Sequence, residues 1–229
     1  MYLGIDTATS RGSLALARSG ELVAEIPLLE RSEHARELIV RLHRLLEEKG
    51  LQPSDLRGVG VSVGPGSFTG VRIGMATAKG LAYALRVAAA GMSTLEALAR
   101  AARRAKDWKA GAIGAALGAG RGEIYWALFM VDGENLSRLC EDRSCHPSSV
   151  IEALPDRLLL TGDAAGALGR LVEERGGPSP GILDPPPLLA GSIALRAAAI
   201  LPGGPGYSPG TLGPNYVRPA GAEVPRRRR

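Results

Sequence analysis

Between Arg57 and Arg86 the chain leaves itself few backbone paths. Val59, Val61 and Val63 alternate with small residues, the period of a short buried strand. Gly64-Pro65-Gly66 follows, a turn that few side chains could trace. Ser67 then stands where a helix N-cap belongs, ahead of a long run without proline. The unit is strand, tight glycine turn, helix.

The turn brushes against three motifs and satisfies none of them. A Walker loop needs Gly-Lys-Ser/Thr after four spacers, and no such triplet follows Gly64 or Gly66. Thr69 occupies the third glycine of a dinucleotide fingerprint. Pro65 occupies the position two before Ser67 where a nucleophile elbow has glycine. Gly64, Pro65, Gly66 and Ser67 therefore read as a structural turn, although amides at a helix start can hold an anion. In the helix itself, Gly70, Gly74 and Ala78 recur every four residues and share a face. With Gly80 the helix holds three glycines, each costing about 1 kcal/mol relative to alanine. Such a cost points to a backbone packed close against the helix. Whether that backbone belongs to this chain or to another stays open at this level.

Composition narrows the setting. The 229 residues can bury a good core, as one domain or two small lobes. The formal charge of +5 includes the terminal Arg226 to Arg229. Without them 24 basic residues face 23 acidic ones, so no global field draws nucleic acid to the body. Cys140 and Cys145, the only cysteines, are spaced for neither a redox pair nor a zinc knuckle. The apolar segment from Gly70 to Met92 is interrupted by Arg72, Lys79 and Arg86. These features and the absence of a charged-then-apolar leader predict a cytoplasmic chain with no membrane partner.

Periodicity orders the rest. Strands are predicted at Tyr2–Ile5, Gly12–Ala17 and Leu22–Ile26, then a helix from Glu33 to Lys49 capped by Ser32. Ala35, Leu38, Leu42 and Leu45 form its core stripe, widened by Ile39 and Leu46. His34 and His43 fall on opposite faces and cannot share a metal, so no metal site is expected. After the central unit come a strand at Val87–Ala90 and a helix capped by Ser93. The second half reads as strands at 110–117, 123–131 and 136–141, a short helix at 147–154 and a strand at 158–161. A helix capped by Asp163, a strand at 181–183 and a helix at 188–201 complete it. Both halves are thus β-β-β-α-β-α-β-α. Boundaries are expected at 1–105 for an N-terminal lobe, 106–210 for a C-terminal lobe and 211–229 for an extended tail. That α/β order, repeated, resembles the duplicated lobes of the actin, hexokinase and Hsp70 (ASKHA) superfamily.

The run from Gly64 to Gly74 (Gly-Pro-Gly-Ser-Phe-Thr-Gly-Val-Arg-Ile-Gly) resembles the hallmark of the TsaB (YeaZ) family. Supporting matches are Leu3-Gly4-Ile5-Asp6-Thr7-Ala8-Thr9, Ser32-Glu33-His34, Gly122-Glu123-Ile124-Tyr125 and Pro214-Asn215-Tyr216-Val217-Arg218. The resemblance implies a role in making threonylcarbamoyladenosine beside the tRNA anticodon, as a non-catalytic, glycoprotease-like partner of the paralogue TsaD. It implies a heterodimer with TsaD, a homodimer when alone, the TsaE ATPase in the same complex, and tRNA reached through that complex. Nucleotide and metal are expected on TsaD, with no cofactor here. The implied interface uses the first helix and the glycine helix, through Ala35, Leu38, Leu42, Leu45, Gly70, Val71, Gly74 and Ala78. Asp6, Thr7 and Ser10 match a phosphate loop in outline, but Ala8 stands where active kinases of the superfamily have glycine. Gly118 likewise replaces an aspartate expected before Ala119. The competing reading is an enzyme of the same fold, a small-molecule kinase or a peptidase.

Overall fold

A computed structural model describes residues 1–28, 34–152, 154–202 and 212–217. The first sheet is built from β1 (Tyr2–Asp6), β2 (Ser13–Arg18), β3 (Glu21–Pro27), β4 (Gly58–Ser62) and β5 (Ala88–Met92), in the order β3-β2-β1-β4-β5. β1 to β3 form an antiparallel meander, and β4 and β5 extend it in parallel. The second sheet comprises β6 (Ala110–Gly120), β7 (Glu123–Asp132), β8 (Asn135–Arg138), β10 (Leu158–Thr161) and β11 (Gly181–Leu183). Its order, β8-β7-β6-β10-β11, repeats that of the first, and a short β9 (Arg143–Cys145) also pairs with β7. β9 has no counterpart in the sequence pattern, because three residues carry too little periodicity to register.

The alternation of β1 explains how the layers stack. Leu3 and Ile5 point to one face, into a core shared with Val59, Val61, Leu38, Leu42 and Leu45. That face is covered by α1 (His34–Glu48) and α2 (Phe68–Leu85). Gly4 points to the other face, where a Cβ would collide with the backbone carbonyl of Ala190. Gly58 and Gly60 of β4 line the same face, against Leu201 and Ile193. Glycine is needed here because a helix backbone, rather than side chains alone, lies on the sheet.

That helix is α6 (Ala190–Ile200), and it comes from the second half of the sequence. In exchange α3 (Thr94–Ala105), from the first half, packs beneath β6 and β7 of the second sheet. The two helices touch each other, and α5 (Ala165–Glu174) covers the far side of the second sheet, with the short α4 (Ser148–Ile151) beside it. A cut at residue 105 therefore divides the sequence but not the packing. Strand-helix order carries no information about which sheet a closing helix joins.

Two opposite charges, a half-buried Glu25 and an exposed Arg104, sit at this crossing. Glu25 of β3 accepts from the Gly191 amide at 2.7 Å, and Arg104 of α3 donates to Ser192 at 3.2 Å. Burial raises the Glu25 carboxyl above its ordinary 4.5, against the pull of the Gly191 bond and of Arg104. Burial likewise lowers the Arg104 guanidinium, against Glu25. Both shifts carry the sign of desolvation, the largest cause for each group.

Two outcomes follow from this packing. Gly4→Val should lower unfolding free energy by roughly 1–3 kcal/mol or more, read as a lower urea midpoint. The folded carboxyl of Glu25 binds its proton more tightly than the unfolded one. Its contribution is therefore complete below about pH 4.5 and is lost as pH rises through the higher folded value. Urea titrations at several pH values should show the stability difference moving in favour of Glu25→Gln as the pH rises above about 4.5. A constant difference would contradict this.

Candidate functional site: a closed phosphate loop beside an outward helix face

The β1–β2 loop, where the sequence suggests a phosphate loop, spends its polar groups on itself. Asp6 is fully buried and accepts from the Ala8 amide at 3.0 Å, the Ser62 hydroxyl at 2.7 Å and the Thr9 hydroxyl at 2.6 Å. Thr7 is also buried, and its hydroxyl donates to the Gly70 carbonyl at 2.7 Å. The Ala8 carbonyl accepts from the Ser67 amide at 2.8 Å. Of the three predicted residues only Ser10 is exposed.

The glycine turn is what closes the loop. Gly64 and Gly66 have φ of 102° and 156°, the first in a region that favours glycine. A Cβ on Gly66 would stand 2.5 Å from the Ala8 carbonyl. Ser67 caps α2 by accepting from the Gly70 amide at 3.2 Å. The Ala8, Ser67 and Gly70 amides are thus already committed to internal acceptors.

The glycine face of α2 meets the same loop, and this corrects the predicted interface. A Cβ on Gly70 would collide with the Thr7 carbonyl, and one on Gly74 with the Thr7 hydroxyl. Val71 and Ala78 are buried in the first core, with Leu38, Leu42 and Leu45 of α1. These residues face their own lobe. Helical spacing identifies a close-packed face without saying what fills it. The side chain of Ala35 lies outside the described residues, as do Ser32, Glu33, Arg218 and Arg226 to Arg229.

The opposite faces of α1 and α2 are exposed. On α1, Ile39 and Val40 are half exposed, so Ile39 does not widen the core stripe as expected. It lies about 20° beyond Leu46 around the helix, enough to leave the edge of the buried arc. On α2 the outward arc carries Phe68, Arg72, Ala76, Gly80 and Tyr83, the last 84% exposed. A Cβ on Gly80 would have nothing within 4 Å, so no contact within the described chain accounts for its helix cost.

The second lobe shows a parallel adjustment. Gly118, standing in place of the expected aspartate, donates its amide to the Asp163 carboxylate at 2.8 Å. Asp163 therefore ties the loop before α5 to the end of β6 and does not cap α5, which starts after Ala164 without a side-chain cap. His43 faces Glu47 at 3.2 Å on the α1 surface, and His146 lies against Ser148 at 2.7 Å. Among the described residues no three His, Cys, Asp or Glu side chains gather as a metal site, and no helix is long and apolar enough to cross a membrane.

Two lobes of identical strand order with exchanged helices and a loop between β1 and β2 define the fold of the actin, hexokinase and Hsp70 superfamily. Within it, the family model of TsaD, tRNA N6-adenosine threonylcarbamoyltransferase, matches residues 25–164. The chain belongs to the TsaB (YeaZ) branch of that family. It is 38% identical to the Escherichia coli tRNA threonylcarbamoyladenosine biosynthesis protein TsaB, over 57% of this chain and 55% of that protein. To the Bacillus subtilis TsaB it is 32% identical, over 68% of this chain and 66% of the relative. The matched region thus spans from about half to two thirds of these relatives' length. The solved structure of YeaZ from Pseudomonas aeruginosa superposes with a TM-score of 0.78 at 27% identity, covering 93% of this chain and 99% of that one.

The glycine contacts give a direct test. Gly74→Ala gains about 1 kcal/mol of helix propensity but must displace Thr7, at a cost of roughly 1–3 kcal/mol. The variant should therefore melt lower than the wild-type chain, and Gly74→Leu should not fold. Thermal unfolding followed by circular dichroism decides the sign; a raised midpoint would refute the intrachain packing.

Proposed function

We propose that this chain is a non-catalytic subunit that binds a TsaD-family partner through the outward faces of α1 and α2, and so supports threonylcarbamoyl transfer to tRNA. The reading is carried by one observation, the exposed Ile39 and Val40 on α1 together with the exposed Tyr83 on α2 near Gly80, a glycine that no described contact of its own fold requires. A helix keeps such a glycine at low cost when another backbone packs over it. The committed polar groups of Asp6, Thr7 and Ala8 support the non-catalytic role, because a kinase of this fold needs loop amides aimed at phosphate. In this reading nucleotide and metal belong to the TsaD partner, a TsaE-type ATPase joins the assembly, and tRNA is met by the complex. Alone, the same face pairs with a second copy of the chain.

Co-purification with the TsaD homologue and reconstituted tRNA modification provide the test. Tyr83→Glu and Ile39→Glu should weaken the complex by roughly thirtyfold or more, the scale of a central interface residue, with unchanged circular dichroism. Gly80→Ala separates the effects: it should stabilise the free chain by up to about 1 kcal/mol and still weaken association. Wild-type affinity in both charged variants, or ATP or peptide turnover by the isolated chain, would overturn the proposal.

A further inference from the structure

The described end of the chain, residues 212–217, runs from one lobe to the other. Leu212 is buried in the first core and lies 3.0 Å from where a Cβ of Gly91 would be. The Asn215 amide donates to the Val63 carbonyl at 2.7 Å, just beyond β4. Its side-chain Nδ2 donates to Asp142 Oδ2 at 2.7 Å, in the loop between β8 and β9 of the second lobe. Asp142 is a prepared acceptor: its side chain is 6% exposed and also accepts from Ser93 at 2.6 Å and from Arg138 at 2.5 Å. A single residue thus bonds to both lobes, backbone on one side and side chain on the other. Pro214 restricts the backbone just ahead of it, so less freedom is lost on docking.

The next residue reaches α2. Tyr216 stacks on Phe68 with ring centroids 5.4 Å apart, and its hydroxyl accepts from Arg72 Nε at 3.2 Å. The Arg72 guanidinium lies 3.7 Å over the Phe68 ring. Asn215 also presses on the glycine turn, since a Cβ on Gly64 would stand 2.9 Å from its carbonyl.

We infer that residues 212–217 form a latch across the lobe seam, and that docking of Asn215 and Tyr216 fixes the glycine turn and the first turn of α2 together. The strap adds to the α3–α6 exchange at the seam, and its Asn215 and Tyr216 can undock without unfolding either sheet. Because α2 carries the face assigned above to a TsaD-family partner, the latch would pass seam position to that face. This last link rests on the proposed function, and the latch itself does not.

Hydrogen exchange of the full-length free chain, resolved by peptide, tests it without any partner. Informative amides are Asn215 itself, Ser67 bonded to Ala8, and Thr94 bonded to Gly64. Asn215→Asp sets a second carboxylate against Asp142 and should raise exchange in peptides covering 63–72 and 212–217 by roughly tenfold. Combining it with Asp142→Asn restores a donor-acceptor pair in reverse and should return exchange toward the wild-type rate. A chain ended after Val217 should exchange like the wild type. Unchanged exchange over 63–72 in Asn215→Asp, no recovery in the double variant, or opening of the seam by the shorter chain would each overturn the latch. If Tyr83→Glu leaves TsaD-family binding intact while these rates move as expected, the partner reading falls and the latch stands.

Discussion

The contact on which the first lobe depends is the approach of the α2 backbone to Thr7. Gly70 and Gly74 bring the helix so near the β1–β2 loop that no side chain fits between them. The Thr7 hydroxyl uses that proximity to reach the Gly70 carbonyl, and Ser67 uses it to reach Ala8. Neither bond survives if the helix backs away by the width of a methyl group. The positive φ of Gly64 places the start of the helix where both bonds can form.

The lobes are joined by the same device used on a larger scale. Gly4, Gly58 and Gly60 clear one face of the first sheet for α6, while α3 crosses to the second sheet. Helix exchange makes each lobe's core incomplete without residues from the other half of the sequence. The interface between halves is therefore part of the core and not a surface added to it. Glu25 and Arg104 sit at this crossing, and both are shifted in the direction of their charge-neutral forms. Glu25 ties β3 to α6 through the Gly191 amide, and Arg104 ties α3 to the same helix through Ser192.

Much of this is legible in the chain itself. The strand-turn-helix around Gly64, the Ser67 and Ser93 caps, and the doubled element order all follow from local rules that the structure obeys. The destination of the glycine face does not. Four-residue spacing reports that Gly70, Gly74 and Ala78 share a side, and the partner of that side lies more than sixty positions away at Thr7, as the Thr7–Gly70 bond records. Gly80 has the same composition signal and the opposite environment. Ile39 departs from its expected place for a smaller reason, since the edge of a buried arc depends on how closely the neighbouring helix lies. Asp163 precedes a helix and so has the look of a cap, whereas the bare Gly118 amide across the sheet offers it a donor. Helix exchange leaves no mark in element order at all.

Closing the loop and freeing the outer helix face are two consequences of one arrangement. An active phosphate loop of this fold must keep its amides pointed into the cleft, which requires the next turn to stand off from it. Here the Gly64–Ser67 turn folds down onto Ala8 and takes the loop's carbonyl, while Asp6 takes its amide. Lowering that turn draws the whole N-terminal half of α2 onto the sheet, glycine side inward. The side left outward then carries Gly80 and Tyr83, the first with no described atom near it and the second almost wholly exposed. Reopening the cleft to phosphate would mean lifting α2, and the outward face would move with it. In this chain, the committed polar groups of the loop and the outward face of α2 are two sides of one packing arrangement.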